Sequence, residues 1–107
     1  MSFLNFNKSP VAYGAIMYNG SAGGMASCYP FFTSQSSLAI INDIDDYWTV
    51  MPGYKIIVYD SVSYAGTTLL TGDNTNGVAP TTYKISSPNL ASSIQLYFKG
   101  ILIVQPS

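Results

Sequence analysis

Apolar and polar positions alternate over short distances along this chain, with the period of strands rather than helices. No window of a dozen residues carries an apolar stripe at i, i+3, i+4 and i+7. Short apolar runs bounded by turn formers recur instead. The first two are VAYGAIMY at 11–18 and MASCYPFF at 25–32, the latter after a glycine turn. LAII at 38–41 and YWTV at 47–50 come next, and YWTV leads through MPG into YKIIVY at 54–59. TTLLT at 67–71 stops at GDNTNG, residues 72–77, a dense cluster of turn residues. TYKIS at 82–86, SSIQLYF at 92–98 and ILIV at 101–104 complete the set. Segment 42–46 reads as a turn or a single helical turn before its strand. Strands at roughly ten-residue spacing predict an all-β sandwich or barrel with little helix, and the sandwich is the expected form. The residues expected to point inward are Ile16, Tyr18, Ile40, Trp48, Ile57, Tyr59, Leu69, Ile85, Ile94 and Leu96.

A weak internal repeat organises these strands. AIMYNGSAGG at 15–24 parallels IIVYDSVSYAG at 56–66: each is a strand ending in Tyr, then a loop closed by glycine. NDIDDYWTV at 42–50 parallels PNLASSIQL at 88–96, each a polar loop entering a strand. The halves meet near MPG, residues 51–53. The expectation is one sandwich domain over 1–107, with motifs at about 11–51 and 52–104 and no domain boundary between them.

Charge narrows the functional classes. The net charge is −1 and charged residues are 8% of the chain, against about 25% in an average soluble domain. Lys8, Lys55, Lys84 and Lys99 are the basic residues; Arg, Glu and His are absent. Four scattered lysines make no phosphate-neutralising stripe, so nucleic acid is not an expected partner. No His and one Cys argue against zinc. No stretch reaches the roughly 18 to 20 apolar residues of a membrane span. MSFLNFNKSP has no basic region followed by an apolar one, so it is not read as a signal peptide. Virion or cytoplasm is the expected setting, rather than classical secretion. Cys28 is alone and forms no internal disulfide. A weakly charged surface rich in Ser, Thr, Asn, Gly and Tyr favours assembly with other protein subunits.

Five acids occur in the chain, and Asp43, Asp45, Asp46 and Asp60 fall within 42–60. The same region leads to a family resemblance. Tyr59, DSVS, Tyr64, Ala65 and Gly66 form an aromatic-x4-aromatic-x-Gly hairpin pattern. Two aromatics pack over such a hairpin, and glycine takes a backbone conformation that other residues resist. NLASSI, with Ser92 and Ser93, opens a later strand, and VMPGYK joins the two halves. In these features the second half resembles a βγ-crystallin Greek key. The first half departs from it: Tyr18 is followed by Gly23 and Gly24, and Asp46 and Tyr47 stand where the serine pair would be.

Members of that family often hold calcium through N/D-N/D-x-x-S/T-S, helped by a hairpin acid. The resemblance therefore implies a calcium site, with Asp43, Asp46, Asp60, Asn89 and Ser92 as its candidate ligands. Calcium needs six to eight oxygens. Pro88 offers none at the first place of the second motif, and the first motif ends in Tyr47. The competing reading makes 42–46 a polar loop whose side chains bond local backbone N–H groups. These departures put the loop ahead of the metal, and no other cofactor is expected.

A catalytic reading finds little. Asp43 and Asp46 have no His or Glu to complete an acid–base site, and Cys28 has no His to activate it. SAGG and GDNTNG lack P-loop spacing and its Lys. The expected function is non-enzymatic: a structural unit packed into a larger assembly, with a minor capsid or cement component of a large virus particle as one setting. Tyr47, Trp48, Ile101 and Ile103 are its candidate interface residues, and ILIVQPS is a candidate edge for a neighbour. A calcium-binding stability module is one alternative. A carbohydrate- or surface-binding module, with Trp48 stacking on a sugar or serving the core, is another.

Overall fold

The computed structural model describes residues 13–19, 27–38, 46–85 and 91–106. It is all-β. Eight strands follow in order: β1 (Ala15–Asn19), β2 (Ser27–Phe31), β3 (Asp46–Val50), β4 (Tyr54–Ser61), β5 (Ala65–Asp73), β6 (Thr81–Ile85), β7 (Ser93–Phe98) and β8 (Ile101–Ile103). They form two four-stranded sheets with orders β2-β1-β3-β6 and β5-β4-β7-β8. Every pairing is antiparallel, and the sheets pack face to face as a β-sandwich.

The chain changes sheets twice in its second half. After the β4–β5 hairpin it crosses to the first sheet, where β6 pairs with β3, and returns as β7 on the other side of β4. A reciprocal contact comes from the first half, where Gln35 bridges Ile94 of β7. The predicted strand at 38–41 is not seen at Leu38, and 39–41 lie outside the described residues.

The inner faces share one apolar core. Ala15, Met17, Trp48, Val50, Ile56, Val58, Ile94 and Leu96 are completely buried there. Trp48 stacks on Phe31 with ring centroids 5.6 Å apart. Leu69 packs against this core from its border, and Ile16 and Ile85 are also buried. The inward positions of β4 differ from expectation: Ile56 and Val58 face the core, while Ile57 and Tyr59 lie half-buried on the other face. The apolar run IIVY does not reveal its own phase, because either alternate set is apolar. The β7 register decides it, placing Ile56 opposite Leu96 and Val58 opposite Ile94. Ile40 and the side chain of Tyr18 lie outside the described residues.

Two turns shape the second sheet. Lys99 and Gly100, with φ of 52° and 84°, make the two-residue connection from β7 to β8. At the other end, Ser63, Tyr64 and Gly66 take φ of 58°, 60° and 81°, and the β4–β5 pairing shifts register around Tyr59. The Ser63 and Tyr64 N–H groups tie that hairpin to Ser36 and Ser93.

Candidate functional site

The folded hairpin carries the motif residues Tyr59, Asp60, Tyr64 and Gly66. The Tyr59 and Tyr64 rings meet edge to face, centroids 6.4 Å apart. Beneath them the Ser93 hydroxyl donates to the Ser61 carbonyl at 2.6 Å and accepts from the Tyr64 N–H at 3.0 Å. The Ser92 N–H donates to the Tyr59 carbonyl at 2.8 Å, which ties the entry to β7 to the hairpin. The Ser63 N–H reaches the Ser36 carbonyl at 2.8 Å.

Asp60 belongs to the hairpin's own structure. Its Oδ1 accepts from the Thr67 N–H at 2.8 Å and from the Ser61 hydroxyl at 3.2 Å. A Cβ at Gly66 would collide with this carboxylate. Ser92 meets the backbone of Tyr59, the residue before Asp60, while the Asp60 carboxylate is engaged by Thr67 and Ser61. Asp43, Asp45 and Asn89 lie outside the described residues, as does the side chain of Asp46; its backbone pairs with Asn19 and Ile85. Among the described residues no group of three or more His, Cys, Asp or Glu stands together.

Asp73, the fifth acid, closes the next turn. Its Oδ1 accepts from the Thr75 hydroxyl at 2.6 Å and the Thr75 N–H at 3.0 Å. The Thr75 hydroxyl first, its N–H second and Lys55 behind them hold this carboxyl below its usual range. Asn74, buried beside it, donates to the carbonyls of Val50 at 3.0 Å and Ala79 at 2.8 Å.

The candidate interface residues separate. Trp48 is wholly buried, so it offers a partner or a sugar no surface, which corrects its place in the predicted interface. Its size and apolar ring drew it into the core, where the indole N–H has no partner among the described residues. Tyr47 is half-buried with the Lys84 ammonium 5.6 Å above its ring. Ile103 is also half-buried, packing against the core. Ile101 is 72% exposed, and Phe98, Leu102 and Val104 around it are exposed too.

The outer face of the second sheet carries a polar group that the motifs did not indicate. Gln95 Oε1 accepts from the hydroxyls of Tyr59 at 2.5 Å and Tyr97 at 3.3 Å. Burial first, and neighbouring Tyr97 second, push the Tyr59 phenol above its usual value. The Lys55 ammonium lies 4.6 Å from the centre of the Tyr97 ring. Beside this group a half-open pocket of about 290 Å³ is lined by Ser34, Tyr64, Gln95, Leu102, Val104 and Gln105. The alternation of Gln95 and Tyr97 with buried Ile94 and Leu96 was the available signal for one wall. The Ser34 and Gln105 walls come from distant segments and had none.

Comparison with protein-family models, with curated proteins and with solved structures gives no match.

Proposed function

We propose that this protein is a non-enzymatic structural unit that packs with other protein subunits into a larger assembly. The observation that carries this reading is the apolar surface around β8. Phe98, Ile101, Leu102 and Val104 are exposed in a continuous stretch of chain whose single charged residue is Lys99. Exposed apolar side chains grouped in this way mark an interaction surface. With a net charge of −1, copies or partners approach it with little long-range repulsion. A minor capsid or cement role in a large virus particle suits a small, charge-poor β-unit of this kind. The folded hairpin and its Ser93 tie are what the βγ-crystallin resemblance rests on.

Light scattering on the purified protein, with and without chelator, tests the reading. A molar mass above the monomer at micromolar concentration, unchanged by chelator, is expected. The mass should fall to the monomer in Ile101→Asp. A monomer throughout, in wild type and variant alike, would count against it.

A second reading has a specific observation in its favour. Asp60 of β4 follows Tyr59, whose carbonyl accepts from the Ser92 N–H just ahead of β7. Calcium addition to chelator-stripped protein distinguishes the two: a rise in the thermal midpoint that vanishes in Asp60→Asn would favour a calcium module.

A further inference from the structure

We infer that the pocket between Gln95 and the C-terminal segment binds a neutral sugar ring. Its six lining residues carry no charge, so it has neither the cations that a phosphate or carboxylate needs nor the carboxylates that a metal needs. Its polar groups are amides and hydroxyls, and three of them are held in place by the protein. Gln95 Oε1 takes the Tyr59 and Tyr97 hydroxyls. Gln105 Oε1 takes the Ser36 N–H at 2.8 Å. Ser34 Oγ takes the Leu96 N–H at 2.9 Å. Fixing the acceptor oxygens leaves the Nε2 amides of Gln95 and Gln105 and the Tyr64 hydroxyl as donors toward a ligand, while the fully buried Ser34 is engaged by Leu96.

The rest of the lining is apolar: Leu102 and Val104, 39% and 68% exposed, with the ring carbons of the half-buried Tyr64. A pyranose has matching halves: hydroxyl oxygens that accept from amides, and a C–H face that covers aliphatic or aromatic carbon. A volume of about 290 Å³ lies at the lower end of ligand pockets and suits one such ring rather than a nucleotide. Pinned polar groups lower the ordering cost of binding. The shallow, half-open form implies millimolar affinity. Sugar recognition on this chain would then rest on amides and aliphatic carbon, with buried Trp48 taking no part.

The test is a nuclear magnetic resonance titration of the full chain with methyl glucoside, methyl galactoside, methyl mannoside and N-acetylglucosamine. The expected result is saturable movement of the Gln95 and Gln105 side-chain amide signals by at least one of the four. Gln105→Ala should weaken that binding by about tenfold, the equivalent of one lost hydrogen bond. Leu102→Asp should abolish it with the thermal midpoint kept; Val104→Asp, at a more exposed position, serves if Leu102→Asp does not fold. No movement up to about 100 mM with any of the four overturns the inference. So do linear shifts scattered over the surface, or saturable binding that a folded Asp variant leaves intact. Leu102 and Val104 also belong to the surface proposed to meet other subunits, so the titration is run on monomeric Ile101→Asp as well: no binding there overturns the sugar inference, while the molar mass of the wild type tests the building-block reading separately.

Discussion

The Ser93 hydroxyl and the Tyr64 amide lie 3.0 Å apart, although 29 residues separate them in the chain. Ser93 is fully buried and also donates to the Ser61 carbonyl. One small side chain thus holds both limbs of the hairpin against β7. Ser93→Ala leaves a donor and an acceptor without their partner, so it is expected to cost about 2 kcal/mol. Urea denaturation measures the loss, and amide exchange should localise it to residues 61–66.

Gly66 has a second reason to be glycine besides its φ of 81°. A methyl group there would meet Asp60 Oδ1 and lie 2.5 Å from the Ser61 Oγ. Gly66→Ala should therefore destabilise by more than the roughly 1 to 2 kcal/mol of the left-handed conformation alone. A double-mutant cycle with Asp60→Ala checks this. The second substitution should cost less in the Gly66→Ala background than in wild type, because it removes the collision.

Asn74 discriminates between an amide and a carboxylate. Its Nδ2 is aimed at two carbonyls, those of Val50 and Ala79. Asn74→Ala should cost about 2 kcal/mol by stranding both. Asn74→Asp should cost more at neutral pH, where a carboxylate would face two acceptors. Those acceptors raise the folded-state pKa of the new acid. Its protonated form is therefore the one the fold accepts, and stability falls as pH rises through that value. Denaturation midpoints of Asn74→Asp near pH 4 and near pH 8 should differ in that order, while Asn74→Ala should not share the trend.

Tyr59 gives a second titration with a known sign. Burial, then Tyr97, raise its phenol above the ordinary tyrosine value of 10.0. The protonated phenol, donating to Gln95, is the native form. Its contribution is complete below pH 10 and is lost as pH climbs from there through the folded value. Ultraviolet titration of wild type and Tyr59→Phe should assign to Tyr59 one phenol ionising late, and alkaline unfolding should be less steep in the variant.

The positions of strands were legible in the sequence, and their partners were not. Short apolar runs cut by MPG, GDNTNG and KG mark β4, β5, β7 and β8 to within a few residues, because turn chemistry is local. The hairpin was legible for the same reason: Tyr59, Tyr64 and Gly66 act within eight residues of one another. The phase of β4 was not, since IIVY is apolar on both faces and only pairing with β7 distinguishes them. Trp48 reads equally as platform or core until Phe31 is placed against it. The Gln95 pocket needs Ser34, Tyr64 and Gln105 brought together from three segments, which no local pattern encodes.

The passage of β6 into the first sheet makes the two halves of the chain dependent on each other. Residues 1–52 made alone lack the strand that covers β3, and residues 53–107 lack the Gln35 contact on β7. Each fragment retains one inner face with nothing packed on it, so the two should regain native circular dichroism only when mixed. Closing such distant pairings makes folding slow relative to a helical bundle of equal size. Once formed, however, the sandwich should outlast a protease cut at the Met51–Gly53 turn. The severed pieces remain interleaved, and what holds them is strand pairing and the shared core rather than the peptide bond.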